Sequence, residues 1–81
     1  MANPEDVRLT KMARSELGKH GFELTHTDLR VTFGVLYIKG TVSAMRGATF
    51  KDAKAELELV SRVMRQRAGI KDVVIDVRYR T

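Results

Sequence analysis

The segment LRVTFGVLYIKGTV, residues 29–42, decides the fold of this 81-residue chain. Apolar and polar residues alternate along it with a period of two, interrupted once at Gly34. This period is that of a strand with one buried face, and two such runs joined through a glycine predict a β-hairpin. The side chains predicted to face the core are Leu29, Val31, Phe33, Leu36, Ile38 and Val42.

A helix is predicted before the hairpin, over residues 4–20. Asn3 is a suitable N-cap, Pro4 suits the first turn, and Gly21 supplies a left-handed stop. The apolar stripe of this helix repeats at helical spacing and consists of Leu9, Met12, Ala13 and Leu17. Residues 22–28 are rich in threonine and acidic side chains, which predicts a polar connection to the hairpin.

A second helix is predicted after the hairpin, over residues 50–67, with Thr49 as its N-cap and Gly69 as its stop. Its apolar face consists of Ala53, Leu57, Val60 and Met64. Alternation resumes over residues 73–80 and predicts a last strand, parallel or antiparallel to its neighbour. The sequence therefore predicts a single α+β domain over residues 1–81. We expect a two-layer αββαβ sandwich, with two helices on one face of a three-stranded sheet.

Short glycine-containing motifs in this layout resemble the BON domain, a small αββαβ module named for bacterial osmotic-stress and nodulation proteins. The matching motifs are Gly34-Val35, Ile38-x-Gly40-x-Val42 and Gly69-Ile70-x-x-Val73. The resemblance covers residues 7–80 and implies a non-catalytic module that binds phospholipid membranes or cell-envelope partners. Gly34, Gly40 and Gly69 are interpreted as structural, because glycine permits the turn, the close packing and the helix stop.

Composition and spacing exclude several classes of site. The chain has no cysteine, so it has no disulfide, thiolate nucleophile or cysteine-based zinc site. His20 and His26 lie near acidic residues, but their spacing matches no recognised metal site, and hydrolase and nucleotide-binding motifs are absent. We therefore expect no enzyme activity, metal or cofactor.

The first ten residues contain two acids and no apolar segment, and no apolar run approaches the ~20 residues of a membrane-spanning helix. We therefore expect a cytoplasmic protein with no transmembrane segment.

The net charge of +5 is unevenly distributed, because residues 29–50 contain three basic residues and no acid. Such a field favours anionic partners such as nucleic acid, phospholipid headgroups or an acidic protein, and an ordinary solvated surface is the alternative. Strand alternation predicts one sheet face that is cationic and partly aromatic, with Asp76 as its only acid. Its candidate anion- or nucleic-acid-binding residues are Arg30, Tyr37, Lys39, Arg78 and Arg80. A secondary basic stripe on the second helix consists of Lys51, Lys54, Arg62 and Arg65.

A lone three-stranded sheet leaves two open edges, and small domains often compensate by oligomerising. We therefore predict a non-catalytic binding and assembly module that forms a homo-oligomer through the sheet or its edge strand. Binding of an anionic partner is left open. The alternatives are a nucleic-acid-binding protein that uses the basic sheet face and a protein attached peripherally to anionic phospholipid.

Overall fold

The computed structural model describes residues 3–67 and 69–80. They form two helices and four strands: α1 (Pro4–Lys19), β1 (Phe22–Glu23), β2 (Thr27–Thr32), β3 (Val35–Ala44), α2 (Ala53–Arg67) and β4 (Asp72–Arg80). The predicted α+β class with two helices is confirmed. No helix within the described residues is long and apolar enough to cross a membrane.

The strand β3 is the centre of the sheet. On one edge it pairs in parallel with β4, from Val35 opposite Asp72 to Ser43 opposite Arg80. Because β4 occupies that edge along its length, β1 and β2 share the other edge, where both run antiparallel to β3. The sequence left the direction of the last strand open, and a crossover through α2 makes it parallel.

One apolar core joins both helices to the sheet. Its buried members are Leu9, Ala13, Leu17, Phe22, Leu29, Val31, Leu36, Ile38, Val42, Leu57, Val60, Met64 and Ile70. The α1 helix packs on β1 and β2, whereas α2 packs on β4. The alternation predicted for β3 is confirmed, because Leu36, Ile38 and Val42 are all fully buried.

The predicted three-stranded sheet is wrong by one strand. Residues 22–28 are not simply a polar connection: Phe22 and Glu23 form β1 by pairing with Ala44 and Ser43. Phe22 is fully buried, and its ring stacks on Phe50 with 4.9 Å between the centroids. A two-residue strand has no internal period, so only its distant partner defines it.

The second helix also begins later than predicted. It starts at Ala53, and its cap is Asp52, whose Oδ1 accepts from the backbone N–H groups of Lys54 and Ala55 at 3.0 and 3.3 Å. Thr49 is therefore not the N-cap. The first helix ends at Lys19 with His20 as its C-cap, one residue before the predicted end.

One predicted core residue, Phe33, lies instead at the exposed tip of the β2–β3 hairpin. Phe33 was predicted to face the core, but it occupies the turn with a φ of 49° and is 81% exposed. Gly34 follows with a φ of 81°, so both turn residues are left-handed, as in a two-residue hairpin loop. The buried Asp6 carboxylate accepts from the N–H groups of Phe33 and Gly34 at 3.0 and 3.2 Å. The α1 helix therefore fixes where the hairpin turns.

Gly40 lies where the β1/β2 edge is interrupted. Its φ is 98°, and a Cβ there would lie 2.5 Å from the carbonyl oxygen of His26. That carbonyl instead accepts from the N–H of Thr41 at 2.9 Å. The predicted close approach of backbone at Gly40 is therefore confirmed, and any larger residue would collide with it.

Candidate binding surface

The open face of the sheet consists of the strand side chains that alternate with the core positions. Its members are Glu23, Asp28, Arg30, Thr32, Val35, Tyr37, Lys39, Thr41, Ser43, Asp72, Val74, Asp76, Arg78 and Arg80. All five residues proposed from the sequence as the primary binding set belong to it. Strand alternation therefore located their face correctly.

An aromatic and cationic group lies in the middle of the open face. Tyr37 lies opposite Arg30 on β2 and opposite Val74 on β4. Lys39, two residues along β3, places its Nζ 5.8 Å from the centroid of the Tyr37 ring. This distance is within the range of a cation–π contact. The Tyr37 ring is thus in contact with Lys39 of its own strand. Val74 is 39% exposed and adds apolar surface beside the ring.

The open face is not predominantly cationic. Lys39 lies between two carboxylates, with Asp28 opposite it on β2 and Asp76 opposite it on β4. Asp76 is therefore not the only acid on this face, because Asp28, Asp72 and Glu23 share it. Among the described residues the face carries four basic and four acidic side chains. The acids were missed because strand register brings them in from three separate segments.

The secondary basic stripe is divided by the structure. Lys51 precedes α2, so the stripe on the helix consists of Lys54, Arg62 and Arg65. The Nη1 of Arg65 lies 3.6 Å from Oδ1 of Asp72, an exposed ion pair that joins the end of α2 to the start of β4. Lys54 lies at the other end of the helix, beside β4.

The outer edge of β4 has the most accessible apolar surface of the sheet's core side. The four core-facing residues of this strand are only half-buried: Val73, Ile75, Val77 and Tyr79. A shallow groove runs along the last three, Ile75, Val77 and Tyr79, and is bounded on the helix side by Lys54 and Glu58. The equivalent residues of β3, namely Leu36, Ile38 and Val42, are fully buried. The groove therefore lies at the outer margin of the sheet.

Tyr79 lines this groove, and the environment there shifts the pKa of its phenol. Partial burial raises the pKa of Tyr79, and the carboxylates of Glu58 and Asp52 raise it further. Both effects disfavour the phenolate, one by removing water and the other by like-charge repulsion. Tyr79 therefore stays protonated to a higher pH than a free tyrosine does.

The histidines do not form a common site. His20 links the two helices, with Nδ1 2.8 Å from Oε2 of Glu56, whereas His26 is exposed at the break between β1 and β2. Within residues 3–67 and 69–80, no group of three or more His, Asp or Glu side chains is placed to hold a metal ion. Gly34 and Gly69 adopt the left-handed conformation, with φ values of 81° and 79°.

No family model matches the chain, and a search of the curated proteins finds no relative. The resemblance to BON domains therefore stays a prediction that rests on the short glycine-containing motifs alone.

Proposed function

We propose that this protein is a non-catalytic assembly module that self-associates through its sheet. The observation that carries the proposal is the β4 edge. A nine-residue strand without proline or glycine lies at the margin of the sheet, with four core-facing apolar side chains only half-buried. Unprotected edges of this length are templates for another strand, and a second copy of the chain supplies one.

The mixed charge of the open face supports self-association over capture of a polyanion. A surface that binds nucleic acid or anionic lipid gains from an excess of cations, because each neutralised phosphate contributes to affinity. Here Asp28 and Asp76 flank Lys39, and the basic and acidic side chains are equal in number. Such a surface repels phosphate as often as it attracts it. Alternating signs are suited instead to a partner that carries the same alternation.

Sedimentation equilibrium of the purified chain tests this proposal. The expected result is a concentration-dependent mass that rises from 9.2 kDa toward twice that value. A mass that stays at the single-chain value up to millimolar concentration would exclude self-association. The measurement is made at two salt concentrations, because pairing that uses both charge and apolar contacts keeps part of its strength at high salt.

A second candidate function, binding of single-stranded nucleic acid, is supported by the contact between Tyr37 and Lys39 and by Arg30 opposite the ring. An aromatic ring with neighbouring cations is the element on which bases stack in single-strand binders. The test is titration of a fluorescent single-stranded oligonucleotide with the protein, and with the variant Tyr37→Ala. This function predicts saturable binding that weakens steeply with salt and is lost in the variant. Retention on anionic vesicles instead would favour peripheral attachment to phospholipid.

A further inference from the structure

The order of charges along β4 is complementary to itself. On the open-face side of the strand the acids Asp72 and Asp76 come first, and the bases Arg78 and Arg80 follow. When two such strands run antiparallel, the acidic half of each lies beside the basic half of the other. Oppositely charged residues that face each other across a strand pair stabilise it, whereas like charges destabilise it.

We propose that two copies of this chain pair through their β4 edges, antiparallel and centred on Val77, to form one continuous sheet. This inference rests on the proposed function and specifies the surface through which the chain self-associates. Residues at equal distance from Val77 face each other across the two-fold axis. Each Asp76 therefore lies opposite Arg78 of the second copy, and this ion pair occurs twice.

The neighbouring registers are less favourable. Centring the pair on Asp76 places that carboxylate directly against its own copy. Centring it on Ile75 keeps Asp72 opposite Arg78 but places the apolar Val74 against Asp76. Only the Val77 register combines two Asp76–Arg78 pairs with Val74 opposite the aliphatic part of Arg80. Because all three registers pair residues of equal parity, the helices of both copies stay on the same side of the sheet.

The core side of the strand fits the same register. Around Val77, Ile75 of one copy lies opposite Tyr79 of the other, and Val77 lies opposite itself. These are the side chains that β4 leaves half-buried at the margin of the core. The second strand lies along the groove that Lys54 and Glu58 border, so apolar surface exposed in the single chain becomes buried.

The experiment uses charge reversal with a matched control. The variants are Asp76→Arg, which makes positions 76 and 78 both basic, and Arg78→Asp, which makes both acidic. The control is Asp28→Arg, because Asp28 faces the same Lys39 from the opposite strand. Each variant is checked by circular dichroism and then measured by sedimentation equilibrium, alone and as an equimolar mixture of the two β4 variants.

The proposal predicts that each β4 variant alone dimerises at least about tenfold more weakly than the unmodified chain, since two attractive pairs become repulsive. The equimolar mixture restores association, because the two basic residues at 76 and 78 of one variant then face the two acidic residues at 78 and 76 of the other. The Asp28→Arg control dimerises as the unmodified chain does. A dimer that Asp76→Arg leaves intact, or a mixture that stays monomeric, would overturn the β4 pairing while self-association stands. A strictly monomeric unmodified chain would overturn both.

A cysteine scan decides the register independently of charge and of how well the reversal variants fold. The chain has no native cysteine, so single variants Ile75→Cys, Asp76→Cys and Val77→Cys are unambiguous. Only a residue on the two-fold axis meets its own copy at disulfide distance. Mild oxidation should therefore cross-link Val77→Cys several-fold faster than the other two. Equal rates at the three positions would contradict the register.

Discussion

The two edges of this sheet are built in opposite ways. The β1/β2 edge is short and broken, since β1 ends at Glu23 and β2 begins only at Thr27. The Thr10 hydroxyl of α1 accepts from the edge N–H of Val31 at 3.1 Å, and Asp6 accepts from the amides of the hairpin turn. The β4 edge has nine residues in unbroken register with β3, and the side-chain hydrogen bond to its backbone at Val73 comes from the strand's own Asp72.

If the chain self-associates as proposed, this difference directs the pairing to the β4 side of the sheet. A strand that is interrupted and hydrogen-bonded by a neighbouring helix offers no continuous row of amides and carbonyls, so further pairing there is disfavoured. The β4 edge lacks that protection. One edge is thus closed by α1, and the other is available for a second copy.

The largest expected effect on stability comes from adding a side chain at Gly40, beside the break in the β1/β2 edge. Gly40→Ala forces a side chain into a left-handed position and against the carbonyl of His26, so unfolding free energy should fall by about 3 kcal/mol. Urea denaturation measures the loss. The control is Gly18→Ala, in the last turn of α1 with open space around it, which should stabilise the fold by up to about 1 kcal/mol. Equal behaviour of the two variants would contradict the close approach at Gly40.

Removing the carboxylate that fixes the hairpin should have the next largest effect. Asp6→Ala leaves the Phe33 and Gly34 amides without their acceptor and is expected to destabilise the fold by about 2–3 kcal/mol. The exposed Asp28→Ala on β2 provides the comparison and should change stability by less than about 0.5 kcal/mol. If Asp6→Ala were as mild as Asp28→Ala, the hairpin would not depend on α1.

Much of this arrangement could be predicted from sequence, but its decisive contacts could not. The period of two located Leu36, Ile38 and Val42 in the core and placed Arg30, Tyr37 and Lys39 on the opposite face. The position of Phe33 escaped the pattern, because the turn is set by Asp6, 27 residues away. The same limitation explains the open face: which acids surround Lys39 depends on the register of three strands, and no local pattern encodes that register.

A smaller effect should follow when the protected edge is made to resemble the unprotected one. Thr10→Val removes the hydroxyl that accepts from the Val31 amide while keeping the shape of the side chain. The expected cost is about 1 kcal/mol of unfolding free energy. Amide hydrogen exchange at Val31 should also become faster, and NMR resolves that single site. An unchanged rate at Val31 would show that Thr10 does not protect the edge.

The subtlest expected effect is on the ionisation of Tyr79. Its pKa is raised in the folded chain, so the folded state favours the protonated phenol. This preference contributes to the free energy of unfolding. The contribution is fully present below the unfolded-state pKa of about 10 and is lost as pH rises through the folded-state pKa. Absorbance titration of tyrosinate should show a late component that Tyr79→Phe removes. Pairing of β4 buries this residue further, so the component should move to higher pH as protein concentration increases.

The most direct test of the difference between the edges is amide hydrogen exchange followed by NMR at low and high protein concentration. If two copies pair through β4, the alternate amides along residues 72–80 that do not bond to β3 become several-fold better protected as concentration rises, whereas β1 and β2 exchange at unchanged rates. If protection of the β4 amides does not depend on concentration, or if it increases at β2 instead, the β4 edge is not the surface through which this protein associates.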